Sequence, residues 1–132
     1  ARIPLRVART GRREVGVVME FLLVGAGGVV GAISRHLVGE RVDANTLDTL
    51  TVNLLGSFLL GALVAVPVED SVLLLAGTGF CGAFTTFSSF AFETVRLAET
   101  GDPGRALFNA AVNLAGAVVA VFGGAVVAGL LG

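Results

Sequence analysis

The chain has 132 residues, 55% of them hydrophobic and only 14% charged, with a mean hydropathy of +0.89. A soluble domain of this length leaves much of its surface in water, so so much apolar surface points to a bilayer as its solvent. A net charge of −1 with no basic stripe argues against nucleic acid as a partner, and the single cysteine, Cys81, excludes an intrachain disulfide or a multi-thiolate metal site.

Residues 1–14 (ARIPLRVARTGRRE) hold five of the nine arginines and show no amphipathic period. The segment 1–18 reads as a flexible basic tail ahead of a membrane domain at 19–132, whose apolar pattern begins around Met19. A spanning helix needs about 20 mostly apolar residues. The first such run extends from about Phe21 to Val38, followed by a polar loop at 39–46 (GERVDANT). The second covers about Leu47 to Val66. Pro67, Glu69 and Asp70 then make a turn so short that the third segment, about Ser71 to Phe92, must lie antiparallel beside the second. After a polar loop at 96–105, with Asp102-Pro103-Gly104 as its turn signal, the fourth run covers about Ala106 to Leu131. The expected class is an all-α integral membrane protein with four transmembrane helices.

Small residues recur at four-residue spacing: Gly27 and Gly31, Ser57 and Gly61, Gly79 and Ala83, Gly124 and Ala128. Lipid supplies little hydrophobic force between helices, so small faces that let backbones approach become a main source of association.

The third segment carries the chemistry. Its middle reads GTGFCGAFTTFSSF, with glycines and hydroxyl residues at membrane depth. Such polar, flexible backbone is tolerated only where protein covers it or water meets it. An interruption near Gly79–Gly82 would free carbonyl oxygens able to bind a cation. Thr85, Thr86, Ser88 and Ser89 follow with hydroxyls. Phe87 and Phe90 share a helix face. A phenyl ring has a positive edge and a negative face, so edges turned to a pathway solvate an anion weakly. Read alone, the pair is foremost a core contact.

Asn53, mid-span, and Asn109 and Asn113, one turn apart, bring amides to membrane depth. They suit interhelical hydrogen bonds and anion donation alike. Arg35 and Glu93 are the charges nearest the spans, placed equally for function or for anchoring by snorkelling. His36 is the only histidine and has Glu40 as its one acidic neighbour at helical spacing. With no nucleophile–base pair or paired carboxylates in the spans, an enzyme is not expected.

The stretches Gly27-Gly28-Val29-Val30-Gly31-Ala32-Ile33-Ser34-Arg35, Asn53-Leu54-Leu55-Gly56-Ser57-Phe58 and Thr78-Gly79-Phe80-Cys81-Gly82-Ala83-Phe84-Thr85-Thr86-Phe87-Ser88-Ser89-Phe90 resemble, in order and spacing, the Fluc/CrcB family of fluoride channels. The Asn109–Leu114 stretch fits some members, and the resemblance covers about Met19 to Gly132. It implies an antiparallel, dual-topology dimer of four-helix subunits in the prokaryotic cell membrane, with two fluoride pathways and a structural sodium ion at the centre. Carried over, backbone carbonyls of Gly82 and Thr85 hold the sodium. Phe87 and Phe90 are the pore phenylalanines, and Asn53, Ser88, Ser89 and Asn113 form the polar track. The implied role is passive export of cytoplasmic fluoride, which lowers its toxicity. Thr46-Leu47-Asp48-Thr49 stands where members often have Pro-x-Gly-Thr, and Phe108 and Val112 stand where others have tyrosine and serine.

The rival reading, a small four-helix multidrug or cation exporter, needs a carboxylate central to the first span and an aromatic cage. Tryptophan and tyrosine are both absent, and Glu20 sits at the helix start. A membrane scaffold without transport leaves the hydroxyl-rich third segment unexplained. Four spans put both termini on one side of the membrane. That side carries Arg2, Arg6, Arg9, Arg12 and Arg13, and the other Arg35, Arg41, Arg96 and Arg105. Since basic loops orient insertion, this near balance favours a homodimer of oppositely inserted copies. A start at Met19 would remove the first set and call instead for a sister subunit.

Overall fold

The computed structural model describes residues 5–42 and 46–132, with side chains described from Glu14 onward. All its regular elements are helical: α1 (Leu5–Arg41), α2 (Leu47–Ala65), α3 (Asp70–Val72), a π-helical stretch (Leu73–Cys81), α4 (Gly82–Phe84), α5 (Phe87–Glu99) and α6 (Pro103–Leu131). Four stretches are long and apolar enough to span a membrane: Glu14–Arg41, Leu47–Ala65, Asp70–Glu99 and Pro103–Leu131. In lipid every backbone polar group must be satisfied within the protein, and for apolar runs of this length a helix does so. Residues 5–18 of the expected tail are helical and run without a break into the first span, and residues 1–4 of that tail and 43–45 of the expected loop lie outside the described residues.

Local signals set the helix ends. The Asp102 carboxylate accepts from the Arg105 N–H at 3.0 Å, and Pro103 occupies the first turn of α6, where its missing N–H costs nothing. Gly101 just before them has φ 90°, a left-handed turn that favours glycine.

The helices pair as α1 against the π-helical stretch and α4, and α2 and α5 against α6. Glycine makes these pairings close. A β-carbon on Gly27 or Gly31 would run into the backbone of Leu75 and Phe80, and one on Gly79 into the Val24 carbonyl. Between α2 and α6, Gly61 faces the Val121 carbonyl and Gly124 that of Phe58. The glycines of the expected small faces are thus at helix contacts. Backbone cannot rotate away as a side chain can, and overpacking typically costs about 1–3 kcal/mol. Gly27→Val should therefore lower the thermal midpoint of the purified protein. Gly25→Val, where a β-carbon meets nothing within 4 Å, should leave it nearly unchanged. Equal midpoints would refute the close contact.

The third span departs from expectation in one respect. Its interruption falls at Thr85 and Thr86, after Gly79–Gly82 rather than within it. Thr85 (φ −79°, ψ 159°) and Thr86 (φ −147°, ψ 118°) are extended, and α5 starts anew at Phe87. Gly77 and Gly79 are buried inside the widened π-helical stretch, where Gly79 serves contact with α1. β-Branched threonines accept extended backbone readily.

Candidate functional site

A break at membrane depth strands backbone groups, and the sequence supplies substitutes for them. The Thr86 N–H, which in an unbroken helix would bond the Gly82 carbonyl, donates instead to Asn53 Oδ1 at 2.8 Å. Asn53 Nδ2 donates in return to the Thr86 carbonyl at 3.1 Å. A carboxamide carries donor and acceptor side by side, as a peptide unit does, so Asn53 pairs with Thr86 as a neighbouring strand would. The Gly82 carbonyl is released by the same exchange.

Thr86 also restarts the helix. Its hydroxyl oxygen accepts from the Ser89 N–H at 3.2 Å, an N-cap bond that satisfies one of the first free donors of α5. Its proton goes to Ser89 Oγ at 3.1 Å, so Ser88 Oγ is the donor in the 3.3 Å contact with Thr86. The Ser89 proton has no acceptor among the described residues. Thr85 turns its hydroxyl back onto the Cys81 carbonyl at 2.9 Å.

Two open cavities meet at Thr86. The larger, about 550 Å³, is lined by Asn53, Gly82, Thr85, Phe87, Phe90 and Asn113 among others, with no charged side chain. The rings of Phe87 and Phe90 lie 5.7 Å apart and tilted by 55°, so they do not stack face to face. Phe87 is 79% exposed. The smaller cavity, about 390 Å³, is polar and includes Arg35, His36, Glu40, Asp48, Thr49 and Ser89 in its wall. Thr86, with Ser88 and Ser89 bonded to it, stands between a cavity with charged walls and an uncharged, ring-lined groove.

The eight site residues expected from sequence fall around one locus. Asn53, Gly82, Thr85, Phe87, Phe90 and Asn113 share the larger cavity, Ser89 lines the smaller, and Ser88 bonds Thr86 between them. Both amide protons of Asn53 are engaged, on Thr86 and on Asn113 Oδ1 at 3.2 Å.

Three further features rest on Thr86, Glu93 and Asn109, which the sequence singles out without assigning them to the site. Thr86 proves to be the hub of the break. The Thr49 hydroxyl donates to Glu93 Oε1, and the other carboxylate oxygen of Glu93 is buried without a partner among the described residues. Asn109 extends the amide chain. Thr49 and Glu93 lie 44 residues apart, a pairing no local pattern can signal.

A family model described as "CrcB-like protein, Camphor Resistance (CrcB)" matches residues 22–125. The chain belongs to the CrcB family. It is 52% identical over 101 residues to a protein of Haloarcula marismortui named "Fluoride-specific ion channel FluC 2", across 75% of this chain and 85% of that one. A "Fluoride-specific ion channel FluC" of Methanocaldococcus jannaschii is 42% identical over 119 residues, 85% of this chain and 96% of that protein. One of Chlorobaculum tepidum is 40% identical over 123 residues, 86% and 98% of the two chains. With four spans, this CrcB protein is a multi-pass protein of the cell membrane. The CrcB match takes in all eight expected site residues, as well as Thr86, Glu93 and Asn109.

Proposed function

We propose that the chain is one subunit of a fluoride-selective channel that lets cytoplasmic fluoride leave down its gradient. The observation that carries this is the uncharged break, where hydroxyls and tilted phenyl rings border an apolar groove, with a polar cavity on the other side of Thr86. An anion held by hydroxyl protons and ring edges is stabilised weakly enough to leave, whereas a fixed cation in the groove would trap it. The names of its relatives support the same substrate. In this reading Asn53, Phe87, Ser88, Ser89, Phe90 and Asn113 line the pathway.

The break also suits a structural cation. The Gly82 carbonyl loses its helical partner to Asn53, and a β-carbon at Gly82 would meet nothing within 4 Å of its own subunit. Neutral carbonyl oxygens are hard ligands fit for sodium. Gly82 and Thr85 from two copies would hold the ion and tie the copies together, offsetting the cost of a helix break in a dry interior.

A second subunit is part of the proposal. The large groove is open, Gly82 and Phe87 lie exposed on its wall, and the buried apolar core of one subunit is small. The balanced arginines favour two copies of this chain inserted in opposite senses. Fluoride efflux from liposomes containing this chain expressed and purified alone tests both points. Efflux supports the channel and the homodimer. Efflux only after co-expression with a sister chain removes the homodimer, and none in either case removes the channel.

A further inference from the structure

The Thr86–Asn53 pairing is one end of a longer chain of hydrogen bonds. Asn53 Nδ2 donates to Asn113 Oδ1 at 3.2 Å. Asn113 Nδ2 donates to the Asn109 carbonyl at 3.1 Å and to Asn109 Oδ1 at 3.2 Å. Asn109 Nδ2 donates to Thr94 Oγ1 at 2.9 Å, and Thr94 Oγ1 donates to the Phe90 carbonyl at 2.8 Å. Asn109 and Asn113 are both buried, 8% and 5% exposed.

This chain has only one direction. A backbone N–H can only donate and a carbonyl can only accept, so Thr86 fixes which way the Asn53 amide faces. Asn53 must then find an acceptor on Asn113, which turns the Asn113 NH₂ toward Asn109. The Asn109 carbonyl oxygen is thereby committed, and its NH₂ is left for Thr94. At the far end the Phe90 carbonyl, again an obligate acceptor, takes the Thr94 proton. Flipping any one amide sets donor against donor or acceptor against acceptor at its neighbours.

The two ends of the chain bracket a single helical turn. Thr86 precedes Phe87, and the Phe90 carbonyl closes that turn, so the network grips the first turn of α5 at both ends. The nearer grip is Asn53. The farther one reaches Phe90 from α6 through Asn109 and Thr94, neither of which lines the ring-walled cavity. With it, that turn is tied by side chains to α2 at one end and to α6 at the other, immediately after a break.

We propose that Asn109 is a positioning residue for the phenylalanine pair. It fixes the backbone of Phe90 through Thr94 and orients Asn113 toward Asn53, without meeting the anion itself. This rests on the channel reading above. If wild-type protein carries no fluoride, that reading fails; if wild type conducts, the Asn109 variants test this one separately.

The test is single-channel recording of fluoride current in planar bilayers, which counts only assembled, conducting protein and is blind to a simple loss of yield. Asn109→Leu keeps the bulk and removes the side-chain bonds to Thr94 and Asn113, leaving Asn113 only the main-chain carbonyl of residue 109. Thr94→Val keeps the shape and removes the bond to Phe90 together with the acceptor for Asn109 Nδ2, while Asn109 still accepts from Asn113. Each should lower single-channel fluoride conductance at least threefold, and the double variant should be no worse than Asn109→Leu, because Thr94 acts through the same chain. Asn109→Asp retains an acceptor for Asn113 and should fall between wild type and Asn109→Leu. Wild-type conductance in Asn109→Leu, or losses that multiply in the double variant, would overturn the assignment. If Asn109→Leu yields no channels, Thr94→Val decides alone: reduced conductance supports the grip on Phe90, and wild-type conductance refutes it.

Discussion

Asn53→Leu should abolish fluoride efflux from liposomes. The substitution leaves the N–H and carbonyl of buried Thr86 without partners, where Asn53 now serves both. An unsatisfied buried polar group costs about 1–3 kcal/mol, so the two together amount to roughly 2–6 kcal/mol. At about 1.4 kcal/mol per decade, the native break would fall in population by roughly thirtyfold or more. Unlike a surface change, this loss cannot be recovered by solvent, because water at that depth would have to enter an apolar groove. Asn53→Asp should be intermediate in backbone support, since it keeps the acceptor for the Thr86 N–H. It also loses the donor to the Thr86 carbonyl and adds a negative charge to the wall of the groove proposed to carry the anion, so its efflux should remain far below wild type. Efflux at the wild-type rate in Asn53→Leu would mean that the Asn53–Thr86 pairing does not hold the break open.

The spans were readable because lipid imposes a simple rule, a long apolar run between polar turns. Pro67 and Asp102-Pro103 mark their ends plainly. The glycine faces were readable for a related reason: four-residue spacing puts Gly27 and Gly31 on one side of α1, and that side meets the third span. The position of the break was not. Glycine frequency pointed to Gly79–Gly82, but a glycine has two uses, to let a helix bend and to let another helix approach. Gly79 serves the second, in contact with Val24 of α1. What decides the site of interruption is a partner able to replace the lost backbone bonds, and that partner, Asn53, lies 33 residues away. Individual amides at depth were visible in the sequence, while their order and direction were not. That order depends on which obligate backbone donor and acceptor end the chain, and both are set by tertiary packing.

Phe87→Ile and Phe90→Ile should each cut fluoride efflux by roughly tenfold or more, the ~1.4 kcal/mol scale of one aromatic interaction, with the protein still assembled. Isoleucine retains apolar bulk but has no positive ring edge, so the change isolates the electrostatic part of the side chain. Phe87 in particular contributes little to the core of the chain, being 79% exposed. A useful contrast lies a few residues earlier. Phe80 and Phe84 have centroids 5.3 Å apart and planes within 15°, and Phe84 is buried at 5% exposure. Those rings are packed, so Phe84→Ile should lower the thermal midpoint through lost contact, a loss of about 1 kcal/mol or more for a buried side chain of changed shape. Efflux measured per assembled protein should then change far less for Phe84→Ile than for either of the other two. The opposite ranking would assign Phe87 and Phe90 to the core. Full efflux in both Phe87→Ile and Phe90→Ile would remove ring edges from the proposed pathway and leave the uncommitted Ser89 hydroxyl as the anion donor at the break.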